Sequence, residues 1–252
     1  NNIGICAATV TVVDNISPSI AGTPANITLN VVSGTCGAVA TWTEPTASDN
    51  CSVATFTSSH DSGDTFPLGE TTVTYTATDD TPQANVTTAT FTVTVTDNEA
   101  PTATCAADFT VQLDANGAAT ITTAQINNGS TDNCTADNDL TLAISPSSFD
   151  CNNVGANTVT LTVTDESGNS STCTTTVTVA DSIDPTWANA PSDLTVNCDG
   201  SGNTTEFNDW LNNTFTGTDN CSSVTVTNNS SGLSDACGAT GTETVTFTLT
   251  DA

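Results

Sequence analysis

The 252-residue chain contains no lysine, no arginine and no methionine, and a single histidine, His60. Against these absences stand 28 aspartates and glutamates, so the formal charge is −28 at neutral pH. A field of that sign repels nucleic acid and anionic lipid surfaces, which excludes both as partners. No carboxylate can find a Lys or Arg within the chain, so counter-charge has to come from solvent cations or a cationic partner. A lone histidine in a polar loop supplies no catalytic triad and no histidine-rich metal site. None of the ten cysteines forms a Cys-x-x-Cys pair, which argues against zinc. No apolar run approaches the length of a membrane span and no signal peptide is present, so direct membrane insertion is not expected. The missing methionine fits a window onto a longer polypeptide that carries its export signal and anchor elsewhere.

What the chain does have is alternation. Val159, Leu161 and Val163 alternate with threonines, as do Val177 and Val179, a period of two that puts apolar groups on one face and hydroxyls on the other. Between these two strands Asp165-Glu-Ser-Gly168-Asn169 is a turn cluster, and Asp184-Pro185 ends the second strand because proline has no N–H to pair. The same unit recurs at Thr72–Asp79 with Ala89–Pro101, its second half at Cys6–Pro18, and its first half at Glu243–Asp251. Asp-Asn-Cys also recurs, at 49–51, 132–134 and 219–221. The prolines at 18, 101 and 185 set a period of 83 to 84 residues, the size of a small all-β domain. The expected organisation is a last strand and linker over 1–16, whole modules over 17–98 and 99–182, and an incomplete module over 183–252.

Within the first module the pattern predicts strands at Asn26–Val32, Ala38–Pro45 and Ser52–Ser59, with Trp42 as core anchor and a loop from His60 to Gly69. In the second it predicts strands at Phe109–Leu113, Ala118–Ile126, Leu140–Ile144 and Asn157–Thr164. The third departs: a strand at Leu194–Cys198 is followed by Thr205–Asn213, where Phe207, Trp210 and Leu211 share one helical face. Trp210 reads either as core packing or as a ligand-binding aromatic.

Modules this small bury little apolar surface, and ten cysteines supply covalent staples that persist in oxidising, extracellular surroundings. The second module has Cys105 on its first strand and Cys173 on its last, whereas the first module lacks both, which pairs Cys105 with Cys173. The remaining cysteines then pair by proximity as Cys36–Cys51, Cys134–Cys151 and Cys221–Cys237, leaving partners of Cys6 and Cys198 outside the chain.

Carboxylates are expected to converge where the Asp-Asn-Cys loop and the last hairpin meet the preceding linker. For the three junctions these are Asp14, Asp49 and Asp79 or Asp80; Asp97, Glu99, Asp132 and Asp165; and Asp181, Asp184, Asp219 and Asp251. Several acids with amide or backbone oxygens suit Ca2+, which takes six to eight oxygens in flexible geometry. The competing explanation is that turns favour Asp and Asn.

Gly-Thr-Cys36, Ala40-Thr-Trp42-Thr-Glu-Pro45-Thr-Ala47-Ser-Asp49-Asn-Cys51, Phe66-Pro-Leu-Gly69-Glu-Thr-Thr-Val-Thr-Tyr75-Thr-Ala-Thr-Asp79 and Phe91-Thr-Val-Thr-Val-Thr-Asp97 together resemble a hyalin repeat, the HYR module, over nearly all of residues 18–98. The other modules resemble divergent relatives in giant surface proteins of Bacteroidetes, including adhesins of gliding bacteria. The resemblance implies tandem immunoglobulin-like β-sandwich repeats in an elongated, all-β array, a role in cell adhesion and no catalytic residues. Two departures stand out: the first module lacks the outer cysteine pair, and the third carries the insertion near Trp210. The functional expectation is a non-enzymatic stalk of a secreted surface adhesin whose partners are neighbouring repeats. The alternatives are a module binding surface glycans or proteins, and a self-assembling extracellular filament subunit.

Overall fold

The computed structural model describes residues 3–197, 203–232 and 242–251. Its Cα packing divides into two compact units, one of Asn1–Ala103, Gly129–Leu142 and Val163–Ser171, the other of Thr104–Asn128, Ala143–Thr162 and Thr172–Ala252. Each unit thus takes residues from more than one sequence repeat.

The first eight strands are β1 (Ser19–Ala21), β2 (Ile27–Asn30), β3 (Gly37–Val39), β4 (Thr46–Ser48), β5 (Val53–Ser58), β6 (Thr65–Pro67), β7 (Gly69–Asp79) and β8 (Val86–Thr96). Four of them form a sheet in the order β2-β8-β7-β5. In it β2 runs parallel to β8, with Ile27 opposite Val93, while β7 pairs antiparallel with both β8 and β5. Two antiparallel pairs, β1 with β4 and β3 with β6, complete the layers. Val73, Tyr75 and Ala77 on β7 and Phe91, Val93 and Val95 on β8 are buried, and the threonines between them are not. All of these side chains but Ala77 meet Val31, Ala38, Ala40 and Phe66 in one core, so the strands form a sandwich.

Trp42 is the anchor the sequence predicts, but it does not lie on a strand. Strand β3 ends at Val39, and the Trp42 N–H donates to Ser62 Oγ at 2.8 Å instead of to a neighbouring strand. Its ring packs edge-on against Phe91 and Phe66 at 5.1 and 6.0 Å, and Nε1 donates to Tyr75 Oη at 2.6 Å. The Tyr75 hydroxyl in turn donates to the Glu44 carboxylate. The expected loop from His60 to Gly69 contains β6, because Phe66 is fully buried and stands opposite Ala38 of β3.

The remaining strands and helices are β9 (Phe109–Gln112), β10 (Ala118–Thr120), α1 (Thr123–Ile126), β11 (Thr141–Ser145), β12 (Ser148–Asp150), β13 (Gly155–Thr164), β14 (Ser170–Ala180), β15 (Thr186–Asn189), α2 (Thr204–Leu211), β16 (Thr216–Thr218), β17 (Thr225–Asn228) and β18 (Phe247–Thr250). A second four-stranded sheet has the order β11-β13-β14-β9, again with one outer pair parallel, Phe109 opposite Val177. Val159, Leu161, Val177 and Val179 are buried in it, as their alternation requires. Three antiparallel pairs follow: β10 with β12, β15 with β16 and β17 with β18.

Two more expected strands are corrected. Over Ala118–Ile126 only β10 is a strand, and the chain then enters α1 through a capping box in which the Thr122 N–H donates to Gln125 Oε1 at 2.8 Å. Residues 194–197 are not in a strand, and Cys198 lies outside the described residues. The helix near Trp210 is present as α2, with Phe207 buried beneath it. Trp210 stacks on Phe207 at 6.0 Å, meets Phe247 edge-on at 5.4 Å and donates Nε1–H to the Ser192 carbonyl at 2.9 Å. The ring has packing partners on several sides, which is the core role the sequence offered for it.

Candidate functional site

The three Asp-Asn-Cys segments fold alike. Each aspartate turns its Oδ2 back onto its own loop: Asp49 accepts from the Cys51 N–H at 2.9 Å, Asp132 from Cys134 and Thr135 at 2.8 Å, and Asp219 from Cys221 and Ser222 at 2.8 and 2.9 Å. These bonds are the local turn that makes Asp favourable here. Each Oδ1 is buried and has no hydrogen-bond partner. The asparagine reaches outward instead. Asn133 Nδ2 donates to the Thr35 carbonyl at 2.7 Å and Asn220 Nδ2 to the Asp114 carbonyl at 3.2 Å, in both cases a turn of the preceding sequence repeat. Asn50 Nδ2 donates to the Asp14 carboxylate at 3.2 Å.

The cysteines follow the asparagines. Cys36 is bonded to Cys134 and Cys151 to Cys221, with Cα separations of 4.9 and 5.1 Å, and both bridges join successive sequence repeats. The expected pairs Cys36–Cys51, Cys134–Cys151 and Cys221–Cys237 are thereby corrected. Proximity in sequence misleads because the Asp-Asn-Cys turn packs against a turn of the repeat before it, not against its own. Cys105 is bonded to Cys173, the pair that the comparison of repeats gives. Among the described residues Cys6 and Cys51 are unpaired and exposed, and Cys198 and Cys237 lie outside those residues. A hydrogen bond to Asp14, reinforced by desolvation and by the charges of Asp14, Asp49 and Asp79, pushes the Cys51 thiol pKa up. Gly117 makes room for the second bridge: a Cβ there would stand 2.5 Å from Cys151 Sγ and 3.2 Å from Cys221 Sγ, and its φ of +69° suits glycine.

Carboxylates gather at the same turns. The oxygens of Asp97, Asp132 and Asp165 lie within 4.8 Å of one another, and so do those of Asp181, Asp219 and Asp251. Each trio draws one residue from the stretch after the last strand of a repeat, one from Asp-Asn-Cys and one from the end of the penultimate strand. Asp14, Asp49 and Asp79 hold the corresponding places in the first repeat but are not gathered to that spacing. Glu99 belongs elsewhere, since its two oxygens accept from Ser33 Oγ and the Gly34 N–H at 2.8 Å each. Neither Asp80 nor Asp184 joins a trio.

Two asparagines complete the geometry, of which the sequence pattern marks only Asn169, as a turn residue. Asn85 Nδ2 donates to Asp79 Oδ2 at 2.7 Å and to the Asp14 carbonyl at 3.2 Å, and Asn169 Nδ2 donates to Asp165 Oδ2 at 2.9 Å and to the Asp97 carbonyl at 3.3 Å. Each asparagine thus fixes a hairpin carboxylate to the backbone of the stretch beside it. The signal was an Asn a few residues after the strand-ending Asp in both hairpins. Burial pushes the Asp79 pKa up, but the hydrogen bonds from Asn85 and Thr81 together outweigh it and hold the group below the usual carboxylate value. The Cys221 N–H, with that of Ser222, likewise holds Asp219 low against partial burial.

Three disulfides belong to an oxidising compartment, and the chain is extracellular. No helix among the described residues is long and apolar enough to cross a membrane. Hyalin of Lytechinus variegatus is 44% identical over 93 residues, which is 36% of this chain and 17% of that protein. Hyalin of Strongylocentrotus purpuratus is 43% identical over 77 residues, 29% of this chain and 6% of that protein. The chain therefore spans only a small part of these relatives. Among solved structures, protocadherin gamma B7 extracellular cadherin domains 1–4 are 16% identical with a TM-score of 0.29, covering 91% of this chain and 67% of that one. Mouse cadherin-23 EC22-24 is 14% identical with a TM-score of 0.35, covering 86% and 83%. The HYR domain model matches residues 13–95, the part of the chain that holds the first Asp-Asn-Cys turn and the first long threonine-rich hairpin.

Proposed function

We propose that the chain is an adhesion-related repeat segment that works as a spacer, the stalk of a larger cell-surface adhesin whose binding region it holds away from the cell. On this reading residues 17–98, 99–182 and 183–252 are successive modules, the first an HYR domain and the others divergent copies. One observation carries the reading: covalent bridges run from repeat to repeat, Cys36 to Cys134 and Cys151 to Cys221. Such bridges do nothing for a catalyst that needs one folded domain, but they keep a chain of domains from being drawn out. Similarity to hyalin over 93 residues and the HYR match at residues 13–95 support an adhesive setting. Electron microscopy of the parent protein on cells tests it. Regularly spaced beads with this segment between the surface and a distal tip are expected, and this segment at the tip, bound to ligand, would overturn it.

A second reading, exchange of a strand between copies to build a filament, draws support from the first residues. Ile3, Ile5, Val10 and Val12 are 85 to 92% exposed in a segment whose alternation is that of a strand. Concentration-dependent polymerisation, lost when Ile5 and Val12 are changed to Thr, is the outcome that favours it.

A further inference from the structure

We propose that the trios Asp97–Asp132–Asp165 and Asp181–Asp219–Asp251 are two divalent-cation sites of calcium type. Clustered acids alone do not make a site, but Asp97 Oδ2, Asp132 Oδ1 and Asp219 Oδ1 are buried without donors. Asp97 is 8% exposed, and its Oδ2 is buried with no hydrogen-bond partner. Its other oxygen, Oδ1, is held by the Glu99 N–H at 3.1 Å. Asp132 and Asp219 show the same division of labour: Oδ2 is fixed by the turn N–H groups, and Oδ1 is buried and unpartnered. Asp165, 5% exposed, is fixed by the Asn169 backbone and side-chain amides. Each of these side chains is thus oriented before any ion arrives.

A desolvated carboxylate oxygen with no donor is costly, and three carboxylates within 4.8 Å repel one another. The usual remedy, an Arg or Lys, does not exist anywhere in this sequence. A cation relieves both costs. The donor set consists of carboxylates, with no imidazole or thiolate in either trio, which selects a hard ion, and turn-borne ligands open to further oxygens suit Ca2+ better than the strict octahedron of Mg2+. Because Asp14, Asp49 and Asp79 do not close to the same spacing, two ions bind per chain, not three. The inference stands whether or not the chain is a stalk.

Calorimetric titration of the full chain with Ca2+, and separately with Mg2+, in buffer at physiological ionic strength tests it. Two saturable Ca2+ sites per chain are expected, with Mg2+ binding about tenfold more weakly or worse. Asp132→Asn should remove one site, and Asp132→Asn with Asp219→Asn should remove both, while an amide oxygen still serves each turn. Thermal unfolding in chelator reports whether the variants fold. If either does not, the wild-type stoichiometry decides alone. Absence of saturable binding overturns the proposal. So does undiminished binding by the folded double variant, which would mean diffuse counter-ion association with the acidic surface.

Discussion

At the scale of single residues, small polar groups decide the geometry. Gly117 lies so close to the Cys151–Cys221 bridge that a methyl group has nowhere to go. Gly117→Ala should therefore lower stability by about 1–3 kcal/mol and increase the fraction of Cys151 that reacts with a thiol reagent, both measurable on the purified chain. The turn acids set the response to pH. Asp114, held by the Ala118 and Asn116 N–H groups, and Asp79, where hydrogen bonds outweigh burial, have native pKa values below the usual one. Between those values and the unfolded value of about 3.9 the unfolded chain binds more protons, so stability is present above that range and lost as pH falls through it. In chelator the melting temperature should be flat between about pH 5 and about pH 9 and fall below about pH 4. Tyr75 acts in the opposite range: burial first, then the Glu44 carboxylate, pushes its phenol up, so the contribution is lost as pH rises above about 10. The aspartates of both trios were legible, because repeats place Asp at fixed positions and turns explain why. Of their companions, Asn169 was legible as a turn residue but not as the partner of a carboxylate, and Asn85 was not legible at all, since Asn is frequent throughout and only the fold shows which ones meet a carboxylate.

At the scale of elements, alternation was a reliable guide wherever it was long. β7, β8, β13 and β14 follow the Val-Thr pattern closely, because shifting register by one residue would turn the whole apolar face to water. Short elements escaped it. β6 has one buried residue, Phe66, and three residues give no period to recognise. α1 occupies part of a stretch read as strand because Thr122 and Gln125 form a local cap that apolar spacing does not reveal. Helix α2 was legible from Phe207, Trp210 and Leu211, and its tryptophan is held among Phe207, Phe215 and Phe247. Trp210→Ala should therefore cost about 3 kcal/mol, seen as a lower denaturant midpoint. An unchanged midpoint with loss of glycan binding would instead assign the ring to a ligand.

At the scale of the whole molecule, the bridges are the feature that proximity in sequence concealed. Cys36–Cys134 and Cys151–Cys221 close loops with sequence separations of 98 and 70 residues, each removing about 4–5 kcal/mol of chain entropy from the unfolded state in the loop-closure model. The sequence pointed to stapled domains but matched each cysteine to a near neighbour. Those matches assume closed modules, whereas the asparagine contacts from Asn133 and Asn220 show turns of successive repeats meeting.

The bridges also limit how far the chain can be drawn out. With both intact, a force applied at the two ends cannot extend most of the residues between Cys36 and Cys221, and only the outer segments and the short stretch from Cys134 to Cys151 lengthen. Single-molecule stretching of the full chain before and after reduction measures this directly. A rise in contour length of about threefold on reduction is the result expected of repeats stapled to their neighbours, and equal lengths in both states would contradict it.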